Sequence, residues 1–212
     1  LDVPAVLDAR ASATGALPEA ARKAGIRVIT GHGIAKVKGG KRVTGVAVCA
    51  QAGEGSVTEE IGCDAVAMSG GWSPVVHLWS HCGGKLNWDE TISAFVPDAT
   101  RPPLNHDGSA MVEVVGSATG DLDLSGKPSA IPPVWVMPQG APIKLRSKMW
   151  LDYQNDVKVS DVQLAAREGY MSVEHTKRYT TLGMATDQGK LSNINGLAIL
   201  ADSLGSEIPQ VG

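Results

Sequence analysis

Aromatic side chains are nearly missing from this sequence, 4 % of its 212 residues, so its core has to be aliphatic and built on closely turned sheets. Cysteine is scarce too. Cys49, Cys63 and Cys82 are an odd and widely spaced set, which argues against a disulfide scaffold or a Cys-x-x-Cys metal knuckle and leaves reduced thiols as the expectation. No charge of one sign dominates: the formal net charge is −3 with Lys and Arg scattered, so neither nucleic acid nor an anionic membrane is an expected partner. No apolar run approaches the roughly 20 residues of a membrane span, and the first residues lack the zones of a signal peptide. A soluble, cytoplasmic protein is the expectation. The chain opens on Leu1 rather than methionine and has no glycine-rich phosphate loop near its start, which predicts a fragment of something longer. No nucleophile–base–acid constellation stands out, so no catalytic residue is assigned.

What is present reads as alternating elements. Residues 3–7 predict a buried strand ending in Asp8, residues 17–24 a helix stopped by Gly25, and residues 27–30, 34–38, 42–50 and 57–61 short strands separated by glycine turns. Residues 64–68 predict a last buried strand. A strand, a helix and a three-strand meander together predict an α/β fold: the rear part of a Rossmann-like nucleotide-binding region of the disulfide-reductase type.

Asp8, at the end of a strand in such a unit, is placed to accept from a ribose hydroxyl, although an Asp can equally end a strand or cap the next turn. Gly70, Gly71 and Trp72 come after the expected last strand, and the glycines let a dinucleotide such as NAD lie against the backbone. Ser73 is predicted to cap a helix running from Pro74 to Cys82. His77 and His81 share a face of that helix beside Cys82, but no fourth ligand lies near, so no metal site is assigned. Residues 111–115 predict another strand that delivers Gly116, Ser117 and Thr119 in a small-residue turn, a second place for NAD.

Five prolines (Pro128, Pro132, Pro133, Pro138, Pro142) mark residues 125–147 as an extended linker between a nucleotide-binding region, 1–124, and a small helical domain, 148–206. In the second region residues 149–153 predict a strand. Helices are expected from Ser160 to Gly169, after Ser172, and from Asn193 or Asn195 to Gly205. Their apolar face, among it Val162, Leu164, Ala165, Tyr179, Leu197 and Leu200, is too small for an independent core. Between the last two helices lies Lys177-Arg-Tyr-Thr-Thr-Leu-Gly-Met-Ala-Thr-Asp-Gln-Gly-Lys190. Lys177, Arg178, Thr180, Thr181, the Gly183 backbone and Lys190 form a donor set suited to an anion; alternatively the two cations are a solvated helix end.

Three stretches carry a resemblance to the alpha subunits of heterotetrameric sarcosine oxidases. They are Ala67-Met-Ser-Gly-Gly-Trp-Ser-Pro-Val-Val-His77, Asp152-Tyr-Gln-Asn-Asp-Val157, and residues 173–190 with 193–200 behind them. The resemblance implies a share in oxidising sarcosine, with NAD held by this chain, FMN at the interface with the beta subunit, and FAD on that partner alone. It implies beta, gamma and delta partner subunits. It also implies a tetrahydrofolate-binding domain beyond residues 207–212, which would begin the linker to it. The helical domain also resembles cysteine-ligated iron–sulfur modules, but Asp187 stands where a cysteine would be and no cysteine occurs after Cys82, so no iron–sulfur cluster is expected here. The competing expectation is a non-catalytic nucleotide-binding or assembly module of an amine or proline dehydrogenase-like complex.

Overall fold

The computed structural model describes residues 2–122, 130 and 132–212. These fall into two compact units, one made of residues 2–67 with 134–212 and the other of the described part of Met68–Pro133. The boundary expected at 124/125, and Pro128 with it, lies outside the described residues.

The first unit opens with a strand–helix–strand. Strand β1 (Val6–Asp8) pairs in parallel with β2 (Val28–Thr30), joined by helix α1 (Ala16–Lys23). A parallel pair needs such a crossover, and Gly25, at φ 76, ends the helix. An antiparallel meander comes next, with β4 (Val43–Ala50) between β3 (His32–Gly39) and β5 (Val57–Ile61). Gly39 is required at its turn: its φ is 129 and an added Cβ would lie 2.0 Å from the Arg42 carbonyl oxygen. The central strand buries Val46, Ala47, Val48 and Cys49, as a strand hydrogen-bonded on both sides should. Burial raises the Cys49 thiol pKa despite its bond to the Gly33 carbonyl, which keeps it a neutral core residue.

Residues 136–145 do not form the free linker expected from their prolines. The Gln51 side-chain amide donates to the Val136 carbonyl (2.7 Å), and the Gln139 and Gly140 amides donate to the Gln51 and Gly53 carbonyls. Met137 fills the space where a side chain at position 33 would stand, and Ala141 is buried. Helix α3 (Ile143–Arg146) then forms within the stretch read as too proline-rich for a regular element, because Pro142 stands before it, where no intrahelical N–H is needed.

The remaining part of this unit is helical around a small hairpin. Strands β8 (Trp150–Asp152) and β9 (Val157–Lys158) lead into α4 (Val159–Arg167), then α5 (Val173–Thr180), α6 (Asn193–Leu204) and α7 (Ile208–Val211). Helix α4 packs on α5 and α6, burying Val162, Ala165, Leu197 and Leu200; Leu164 and Tyr179, expected in the same face, are exposed. The cap of α4 also sits earlier than its Ser160 spacing suggested. The Asp161 carboxylate accepts from the Lys158 amide (2.8 Å), because Val159 already begins the helix.

In the second unit the expected helix from Pro74 shrinks to α2 (His77–His81), preceded by Val76 rather than capped by Ser73. Two glycines, a proline and two β-branched valines keep residues 70–76 irregular. Among the described residues, 64–68 and 111–115 have no ladder partners and are largely exposed, Met68 and Val115 included, so neither expected buried strand forms there; apolar content supplies no neighbour to pair with. A hairpin that the sequence reading missed, β6 (Leu86–Asp89) with β7 (Ala94–Pro97), forms instead and stacks Trp88 edge-on against Phe95 at 5.0 Å. Trp79 is buried, its indole N–H donating to the Lys85 carbonyl (2.7 Å).

Candidate functional site

Lys177 and Arg178 occupy the last turn of α5, where the helix dipole stabilises cations. Among the described residues neither forms an ion pair. The helix ends at Thr181, held in the left-handed region at φ 63, an uncommon conformation for a β-branched residue. Its neighbours explain how it is held. The Asn155 side-chain amide donates to the Thr181 carbonyl at 2.8 Å, and the Thr180 hydroxyl donates to the Thr176 carbonyl at 2.7 Å.

The centre of this region is a residue that the sequence reading did not single out. Asp152, buried at the end of β8, accepts from the amides of Gln154 (2.9 Å), Asn155 (3.0 Å) and Gly183 (2.9 Å), and from the Asn155 side chain (3.4 Å). Desolvation pushes its pKa up, but the amides of Asn155, Gly183 and Gln154 outweigh it and hold the carboxylate below its ordinary range. Gln154 completes the clamp by accepting from the Thr186 amide at 2.9 Å. A short hairpin thereby grips residues 181–186 from one side. On the other, Gly183 and Gly189 close around Asn193 at the start of α6, where an added Cβ at either glycine would come within 2.2 Å of the Asn193 side chain. The available signal was the polar run Asp152 to Asp156, a turn composition whose partner lies 31 residues further along the chain.

The donor set expected for an anion is thus partly spent. Thr180 and Thr181 use their hydroxyls on backbone carbonyls, and the Gly183 N–H is committed to Asp152. The Lys190 ammonium lies 3.4 Å from the Asp187 carbonyl oxygen. Asp187 itself accepts from the Gly189 and Leu191 amides, so its carboxylate shapes the loop. What remains for an anion is the cations Lys177, Arg178 and Lys190, because the neutral donors are committed within the chain.

The nucleotide-side candidates are divided between the units. Asp8 is gripped by its neighbour: Arg10 reaches it through its amide (3.0 Å), Nε (2.9 Å) and Nη2 (2.5 Å), which lowers the carboxylate pKa. Gly70, Gly71 and Trp72 lie in the second unit, with Trp72 exposed and Gly71 at φ 92. Gly116, Ser117 and Thr119 form a single 3₁₀ turn there, closed by the Thr119 hydroxyl on the Gly116 carbonyl (2.8 Å). A Cβ added at Gly70, Gly71 or Gly116 would meet nothing within 4 Å, so at these positions the backbone is open to a ligand such as a dinucleotide. Among the described residues no group of three or more His, Cys, Asp or Glu side chains is arranged to hold a metal, and no helix is long and apolar enough to cross a membrane.

Residues 146–212 match the family described as the sarcosine oxidase A3 domain. The sarcosine oxidase subunit alpha of Rhizobium meliloti (strain 1021) is 35 % identical over 236 residues, an alignment covering 100 % of this chain and 22 % of that protein. The corresponding subunit of Corynebacterium sp. (strain P-1) is 36 % identical over 239 residues, covering 98 % of this chain and 24 % of the relative. The chain therefore spans 22–25 % of the length of these relatives. Among solved structures, the L-proline dehydrogenase from P. horikoshii superposes with a TM-score of 0.55 at 19 % identity, covering 92 % of this chain and 44 % of that one. This is a likeness of fold, and it agrees with the mixed α/β architecture expected.

Proposed function

Because the chain is homologous along its whole length to a segment of sarcosine oxidase alpha subunits, we propose that it is part of such a subunit in a flavin-dependent, cytoplasmic complex. The complex oxidises the N-methyl group of sarcosine, giving glycine, hydrogen peroxide, and formaldehyde or methylene-tetrahydrofolate. In this reading the beta subunit carries FAD and the amine site, gamma and delta complete a heterotetramer, and tetrahydrofolate binds a domain beyond this chain. FMN, shared with the beta subunit, supplies electron transfer towards oxygen when bound.

The share of this chain is to bind and orient. Lys177, Arg178 and Lys190 neutralise the FMN phosphate, and because the end of α5 carries partial negative charge, more than one cation is needed to hold an anion there. NAD lies along the open backbone at Gly70, Gly71 and Trp72, or along Gly116, Ser117 and Thr119. Asp8, in the first unit, is a separate candidate: its carboxylate keeps a lone pair beside the Arg10 fork for a ribose hydroxyl. The observation that supports the phosphate reading is the adjacent pair of cations at the end of α5, which have no ion-pair partner among the described residues.

The visible spectrum of the complete complex tests the proposal. Anaerobic sarcosine should bleach the flavin bands of the complex, and Arg178→Ala should lower the FMN retained after dialysis. A spectrum unmoved by sarcosine would instead support a non-catalytic nucleotide-binding or assembly module. Unchanged FMN in the variant would overturn the assignment of Arg178.

A further inference from the structure

Helix α4 packs against both α6 and α3. The three helices line a groove of about 410 Å³, a volume within the range of small-molecule sites. Its floor is one face of α4, where Gln163, Ala166 and Arg167 stand at the i, i+3 and i+4 spacing that brings side chains together on a helix. Helix α3 contributes Ile143 and Arg146, and α6 contributes Asp202.

The charges that line this groove are not spent on one another. Arg146 is held by neutral acceptors alone: its Nε donates to the Ala141 carbonyl at 2.6 Å and its Nη2 to the Gln139 carbonyl at 3.4 Å, so the guanidinium is fixed while its charge stays uncompensated. Arg167 and Asp202 carry opposite charges in the same groove, yet among the described residues neither forms an ion pair. Asp202 also stands in the last turn of α6, the negative end of the helix dipole, where a carboxylate is disfavoured and a cation is welcome. Two guanidinium groups and a carboxylate that share a groove without pairing suit a molecule that carries both charges itself.

We propose that the groove between α3, α4 and α6 binds a zwitterionic α-amino acid with an aliphatic side chain. The ligand carboxylate meets the donor forks of Arg146 and Arg167, whose planar geometry matches a carboxylate. The ligand ammonium meets Asp202 and, with it, the negative end of α6. Ile143, 56 % exposed, offers the apolar surface for the side chain. None of these residues belongs to the FMN or NAD assignments above, so the site stands or falls without them.

The test uses the complete complex and L-photo-leucine, a diazirine amino acid that keeps both charges and an aliphatic side chain. After irradiation, labelled peptides are mapped by mass spectrometry, with L-leucine, isovalerate and isopentylamine as competitors. Isovalerate retains only the carboxylate, and isopentylamine only the ammonium. Labelling is expected in the peptides that carry Ile143, residues 163–167 or Asp202. L-leucine should suppress it at concentrations roughly tenfold below those needed of either half-molecule, the scale of one lost charge-assisted hydrogen bond. Arg146 also holds the Ala141 carbonyl, so the informative variants are the exposed Arg167→Gln and Asp202→Asn, each checked by a melting curve. Each should lower labelling of the groove several-fold and leave labelling elsewhere on the complex unchanged. Asp202→Asn should melt no lower than the parent, because it removes a charge that the dipole disfavours. Absence of label from these peptides, or labelling that both variants leave unchanged, would overturn the proposal. Equal competition by isovalerate and L-leucine, with Asp202→Asn without effect, would overturn it as well by showing a carboxylate site that has no use for an ammonium.

Discussion

Asp152 shows how one buried carboxylate organises a loop that no local pattern ties to it. Its folded-state pKa lies below the ordinary value, so its contribution is present above the usual carboxylate range and is lost as pH falls through the lowered value. Stability measured by urea unfolding should therefore drop between about pH 4 and more acidic conditions, and Asp152→Asn should flatten that drop. At pH 7 the same change should cost roughly 1–3 kcal/mol, because an amide cannot accept from every donor the carboxylate serves. Two left-handed glycines make a complementary comparison. Gly205→Ala meets nothing within 4 Å and should cost about 1 kcal/mol of backbone strain. Gly189→Ala drives a methyl group into Asn193 and should cost clearly more, read as a larger fall in melting temperature.

At the scale of elements, the helices and the meander were legible because their signals are local. Gly25 and Gly205 stop α1 and α6, Ser172 caps α5, and the glycine pairs turn the meander. The pieces misread depend on partners far away. Residues 64–68 look like a buried strand but have no neighbour to pair with, while β6 and β7 pair although their sequence carries little alternation. The anion loop was only half legible: its cations could be picked out, whereas the commitment of Gly183 to Asp152 could not be read from either stretch alone. Caps give a direct check. Asp161→Ala removes a 2.8 Å bond at the start of α4 and should cost on the order of 1 kcal/mol. Ser172→Ala, whose bond is 3.4 Å, should cost less, and Ser160→Ala, which caps nothing, should be close to neutral in thermal melts.

Over the whole molecule, the proline-containing stretch joins regions that the sequence pattern separates. Residues 136–141 lie along the meander through Gln51, Gly53 and Gly33, and the helices continue directly from them. Proline content excludes long helices and central strands, but it does not prevent an extended segment from being bonded on one edge. A polypeptide ending at residue 133 should therefore lose amide-exchange protection at Val46, Ala47, Val48 and Cys49, which the full chain should protect strongly. Retained protection in the shortened chain would show that the meander stands without its strap.

That arrangement has a consequence for the order of events during synthesis. Gln51 leaves the ribosome 85 residues ahead of Val136, the residue its side chain will hold. The meander must wait through the production of the whole Met68–Pro133 segment before its strap arrives. A unit closed by such distant contacts forms late and slowly. For that interval the nascent chain carries a half-covered, valine-rich sheet, and conditions that slow translation there should raise the demand for chaperones more than any change to the finished protein.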